Sequence, residues 1–81
     1  MTRKEKLLKK FLRNPESLRF GEIETLLFNF GYGLVRVKGS HHHYEHDLLE
    51  EKLIIAVHNN DCLKIYKKFI VKLFINNFLS V

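Results

Sequence analysis

The chain reads as an α+β domain: two helices, a three-stranded antiparallel meander and a closing helix, in the order α-α-β-β-β-α. Three observations predict this. Apolar residues recur at helical spacing towards both ends of the sequence. Residues 34–58 carry short, apolar or alternating runs of strand length. A Gly39-Ser40 pair divides that central region where a tight hairpin turn is needed. At 81 residues the chain forms one domain, 1–81, with no room for a second and a thin margin of burial to sustain it.

The first segment, RKEKLLKKFLRN, places Leu7, Leu8, Phe11 and Leu12 at helical spacing, and Asn14-Pro15 breaks it. The second, FGEIETLLFNFGYG, sets Ile23, Leu26, Leu27 and Phe30 on one stripe, with Gly31 as a stop just past the helix end. Both stripes read as core. The run LVRVK (34–38) is short, apolar and β-branched, as a strand requires. Gly39-Ser40 then has the Gly-X pattern of a two-residue type II′ loop, and HHHYEH (41–46) returns as the second strand. Asp47 to Lys52, polar apart from Leu48 and Leu49, reads as the next turn, and LIIAVH (53–58) as the third strand. From Asp61 to Asn77 the pattern is helical. Tyr66, Phe69, Ile70, Leu73 and Phe74 share one face, and Lys64, Lys67, Lys68 and Lys72 the other. That lysine stripe reads as a solvated surface or a phosphate-contacting one, and a third reading, an interfacial membrane helix, competes with the need for its apolar face to cover the sheet.

Lys and Arg number 14 against 9 acidic residues, a formal charge of +5, which suits an anionic partner such as nucleic acid. The basic N-terminus has no long apolar stretch of the secretory kind, and the apolar tail is interrupted by Lys72, Asn76 and Asn77, so neither signal peptide nor membrane span is expected. The single cysteine, Cys62, forbids an internal disulfide and suits a reducing cytoplasm. Its expected role is a buried structural thiol.

The stretch VKGSHHHYEH holds four of the five histidines, three of them side by side. It lies mid-chain, away from where an affinity tag belongs. Strand alternation sends His41, His43 and Glu45 to one face and His42, Tyr44 and His46 to the other. Tyr44 is the bulkiest body in the strand, so its face is expected to meet the helices and His41 to stand on the open face, just after the turn. Three readings then compete. His41, His43 and Glu45 can present metal ligands, although without a strong metal-site spacing. They can be solvated surface residues. Or they can serve acid–base chemistry on RNA, whose 2′-OH supplies its own nucleophile. Histidine suits that work because its unperturbed pKa is about 6.5. Arg36 and Lys38 flank the same turn, and His58, at the end of the third strand, can approach the same sheet.

KGSHHHYEH, then IIAVHNND, then IYKKFIVKLF resemble the HicA (YcfA-like) family of toxin ribonucleases. The likeness lies in Gly39-Ser40-His41, in Tyr44 and His46 after it, and in His58-Asn59-Asn60, and it covers roughly residues 16–75. The family likeness implies a fold similar to a double-stranded-RNA-binding domain, α-β-β-β-α, here with one extra N-terminal helix. It implies a metal-independent messenger-RNA endonuclease that needs no cofactor, and a HicB-type antitoxin that covers its active surface. Only His41 maps directly onto the family's catalytic histidine, with His42 as the neighbouring alternative. Some members carry proline before the third-strand histidine or in the last turn. This chain has Ala56-Val57 and Asp47 there, a difference of loop shape. Double-stranded-RNA-binding domains meet phosphates at the start of their last helix, which by analogy points to Lys64, Lys67 and Lys68. The rival functions are a non-catalytic RNA-binding module and a histidine-cluster metal-binding protein.

Overall fold

A computed structural model describes residues 1–79; residues 80 and 81, the end of the apolar tail, lie outside the described residues. The elements are α1 (Arg3–Arg13), a 3-10 turn (Pro15–Ser17), α2 (Phe20–Asn29), β1 (Tyr32–Lys38), β2 (His41–His46), β3 (Leu49–Ala56), α3 (Lys64–Phe74) and a π-helical turn (Ile75–Leu79). The expected order of helices and strands is therefore the observed one.

Local chemistry sets the element ends. The Thr2 hydroxyl accepts the Glu5 N–H (3.2 Å) and caps α1. Pro15 then prevents its continuation. At the start of α2 the Phe20 N–H donates to the Asp61 carboxylate (3.2 Å), so its capping group comes from the far side of the sequence. Gly31 ends α2 with φ +99°. A Cβ there would stand 2.9 Å from His46 Nε2, so both the conformation and the close approach require glycine.

The sheet has the order β1-β2-β3, all antiparallel. Lys38 and His41 face each other across Gly39-Ser40, and only Gly39 of that pair has positive φ, +60°, as a type II′ turn demands. One face of the sheet carries the helices. Tyr44, Leu53 and Ile55 look into a core shared with Phe11, Leu18, Ile23, Leu27, Ile70 and Phe74. Tyr44 is 0% exposed, and its hydroxyl donates to the Glu24 carboxylate on α2. Burial first, and then the Glu24 bond and charge, push its phenol far above the ordinary value. The expectation that the Tyr44 face is covered and the His41 face open is met.

Four boundaries differ from the expected ones. β1 begins at Tyr32, because the chain can pair with β2 as soon as Gly31 has turned it. The segment Asp47 to Lys52 is not a long turn. Asp47-Leu48 makes the whole connection and Leu49 to Lys52 belong to β3, whose edge position lets polar side chains stay in water. β3 stops at Ala56, two residues before His58, and α3 begins at Lys64 rather than Asp61. Between them, Asn59 and Asn60 take left-handed φ values of 53° and 62°, a conformation Asn tolerates better than most residues.

The lysine stripe also needs correction. Lys67 is 4% exposed and pairs with Asp61 at 3.1 Å, so it does not share the solvated face of Lys64, Lys68 and Lys72. Phe69, expected in the core, is 49% exposed. The helix is rotated so that the long lysine stem passes along the apolar surface to reach Asp61, while Phe69 sits at the rim.

Candidate functional site

One end of the sheet gathers residues that the sequence keeps apart. The β1–β2 turn, the segment after β3, and the N-termini of α2 and α3 meet there. The Val57 N–H donates to the Ser40 carbonyl (2.8 Å), which ties the turn before His41 to the end of β3. His58 and Asp61 exchange backbone bonds of 2.8 and 3.0 Å. Arg19 Nη2 donates to the Asn59 carbonyl (3.0 Å).

Asp61 is the hub of this end. Its Oδ1 accepts from the N–H groups of Phe20 (3.2 Å) and Cys62 (2.9 Å) and lies 3.1 Å from Lys67 Nζ. Partial burial pushes its carboxyl up. The Cys62 N–H, Lys67 and Arg19 outweigh this and hold it below the usual value. Sequence reading places Asp61 only at a helix start and passes over Arg19. The signal available was an Asp shortly before an amphipathic run, and nothing local says that this Asp also caps a helix forty-one positions earlier. Cys62 beside it is half-buried rather than buried as expected, and its thiol is pushed up by burial first.

His41 is exposed on the open face, opposite Lys38 on β1 and Ala56 on β3. His43 follows on the same face, opposite Arg36 and Ile54. Desolvation, then the charges of Arg36, His41, Lys38 and Lys52, hold its imidazole below the ordinary histidine value. On the open face the cations Lys38 and Arg36 thus flank the imidazoles of His41 and His43, in a strip bounded by the Lys52–Glu45 ion pair (3.5 Å). That pair engages the carboxylate considered as a third metal ligand. Among the described residues no three His, Cys, Asp or Glu side chains cluster so as to hold a metal ion.

The other histidines have different surroundings. His42 lies on the helix side, its ring edge-to-face with Phe20 at 5.4 Å and its Nδ1 3.4 Å from the Ser40 carbonyl. His46 is buried; its Nε2–H donates to the Phe30 carbonyl (2.7 Å) and its Nδ1 accepts the Leu48 N–H (3.0 Å). This imidazole joins the end of α2 to the β2–β3 turn and is structural. His58 is exposed and held by its backbone at the same sheet end. Lys64 and Lys68 sit in the first turns of α3 and share a single acidic partner, Glu16, at 3.8 and 3.6 Å. Both pairs are exposed and weak, so the helix start keeps excess positive charge. Lys67 is the one proposed phosphate contact whose charge is already committed, to Asp61.

Residues 20–67 match the model of the "HicA toxin of bacterial toxin-antitoxin" family, more than half of the chain. The chain belongs to the HicA toxin family. No curated protein and no solved structure matches it. The matched region runs from α2 through the sheet into the first turn of α3 and includes His41, His58 and Asp61, whereas α1, Arg19 and Lys68 lie outside it. As a HicA toxin, the chain is the toxin component of a toxin–antitoxin system and has an antitoxin as partner. No helix among the described residues is long and apolar enough to cross a membrane.

Proposed function

We propose that this HicA toxin is a metal-independent endoribonuclease acting on messenger RNA, with His41 as general acid/base. The observation that supports it best is the position of His41. It is an exposed imidazole, tied down through its turn and β3, at the head of a cationic strip. The RNA 2′-OH attacks the adjacent phosphorus, the bond to the 5′-oxygen breaks, and a 2′,3′-cyclic phosphate remains. The 2′-OH gives up its proton and the departing 5′-oxygen takes one up, and His41 carries out one of these two transfers, work that suits an imidazole. Lys38 and Arg36 stabilise charge developing on the phosphoryl oxygens. Gly39 and Ser40 set the turn that presents His41. Lys64 and Lys68 hold the phosphate backbone further along, in the manner of a double-stranded-RNA-binding domain. The antitoxin is of the HicB type and acts by covering the His41 end, with acidic groups that speed encounter with this surface.

Cleavage in excess EDTA, followed by analysis of product ends, tests the reading. Activity that persists and leaves a 2′,3′-cyclic phosphate or a 3′-phosphate agrees with it. Loss of activity with chelator and recovery with a divalent ion would favour metal-dependent chemistry. Retained RNA binding with no cutting would leave a non-catalytic RNA-binding module.

A further inference from the structure

The nuclease reading uses the open face of the sheet end and the start of α3, and leaves the α2 side of that end without a role. There a cleft of about 450 Å³ lies between α2 and the turn after β3. Its walls are Phe20 and Glu24 of α2, His42 of β2, and Asn59 and Asn60 of the turn. Space above the α2 backbone is open, since a Cβ built on Gly21 meets nothing within 4 Å.

The chemistry of these walls is specific. Phe20, buried in the core, backs the ring of His42 edge to face at 5.4 Å, so the half-buried His42 imidazole is the aromatic surface on that side of the cleft. Asn59 and Asn60 are exposed, and among the described residues neither carboxamide has a hydrogen-bond partner. Yet their backbones are held. Both are in the left-handed region (φ 53° and 62°), fixed by the His58–Asp61 bridge on either side and by Arg19 on the Asn59 carbonyl. They are the two central positions of a type I′ turn, which favours Asn and fixes where both carboxamides stand. Glu24 lines the same cleft, with its carboxylate oriented by the Tyr44 hydroxyl. Aromatic surface, two carboxamides and a carboxylate suit a flat heterocycle with hydrogen-bonding edges.

We propose that this cleft binds a nucleobase of the RNA close to the cut, and prefers bases with an exocyclic amino group over uracil. Carboxamides both donate and accept, and so serve any base edge. The carboxylate only accepts, and adenine, cytosine and guanine each offer it an amino group. Uracil presents one N–H between two carbonyls and meets it less well. His42 directly follows His41, so the cleft and the His41 imidazole occupy the two sides of one strand end. An RNA strand passing over the Gly39-Ser40 turn sets a base in the cleft and a phosphate beside His41. That this RNA is cut beside the cleft rests on the nuclease reading; base binding itself does not.

Isotope-labelled full-length toxin is titrated with 2′-O-methyl trinucleotides of each base, which lack the attacking hydroxyl, and with an abasic counterpart. The Asn59 and Asn60 side-chain amide signals and the His42 ring signals should move. The adenine, cytosine and guanine forms should bind at least threefold more tightly than the uracil form. The variant Asn59→Gly/Asn60→Gly keeps the left-handed backbone and should lose at least fivefold affinity for the base-bearing forms, with abasic binding unchanged. Equal binding of abasic and base-bearing forms, unmoved Asn signals, or a folded double-Gly variant with wild-type affinity would overturn the proposal. Cleavage of ordinary RNA by the wild type is measured in parallel. Base-dependent shifts without cleavage would remove the nuclease reading and leave the cleft standing, whereas cleavage without those shifts would do the reverse.

Discussion

Tyr44 and the histidines around it show how far a single position can differ from its neighbour. Tyr44 fills the core and ties β2 to α2 through Glu24, so Tyr44→Ala should cost roughly 3–5 kcal/mol and leave little folded protein. Urea unfolding checks this; a near-normal midpoint would mean that the strand faces are reversed. One residue earlier, His43 stands among Arg36, His41, Lys38 and Lys52. Desolvation first, and then those charges, should bring its titration midpoint in an NMR pH series below that of an ordinary histidine. A bound polyanion, by neutralising those cations, should raise it. A midpoint at or above the ordinary value in the free protein would contradict the cationic strip. Alternation about Tyr44 was legible in the sequence because one bulky residue among polar ones decides which face is covered. That His46 clamps Phe30 and Leu48 was not, because its partners are backbone groups brought near only by the fold.

At the scale of elements, the connection after β3 holds the site end together. Asp61 caps α2, bonds Cys62 and pairs with the buried Lys67. Asp61→Ala leaves that ammonium and the Phe20 N–H without their partner and should destabilise by up to about 3–5 kcal/mol. Because the folded carboxyl titrates below its unfolded value, its contribution is present above the unfolded pKa of about 4 and is lost as pH falls through the lower folded one. Acid unfolding of Asp61→Asn should therefore lack part of the wild-type pH dependence in that window; identical profiles would deny Asp61 this role. The helices and the Gly39-Ser40 hairpin were readable from period and turn chemistry. The β2–β3 turn was not, since Glu50, Glu51 and Lys52 look like a loop until β3 is known to be an edge. Lys67 escaped because burial of a lysine depends on a carboxylate supplied by another segment. α3 contributes Lys64 and Lys68 to the proposed RNA path. Lys64→Glu/Lys68→Glu should weaken binding across sequences and flatten the dependence on log salt by roughly 0.7–0.9 per lost contact. An unchanged slope in filter binding would remove α3 from the path.

For the whole molecule, the sheet divides the work. One face is packed under three helices and supplies stability, and the other is open, cationic and headed by His41. The family match spans this sheet, α2 and the first turn of α3, while α1 and the rest of α3 complete the core from outside it. The chemistry assigned to the matched residues rests on one imidazole, which contributes little to packing because it is exposed. The most direct test is RNA cleavage by His41→Ala, with its spectrum and unfolding midpoint measured beside the wild type, and with His42→Ala, the neighbouring alternative, assayed in parallel. The account predicts a His41→Ala protein as stable as the wild type that no longer cuts RNA or arrests growth. A folded His41→Ala toxin that cuts at the wild-type rate would contradict it.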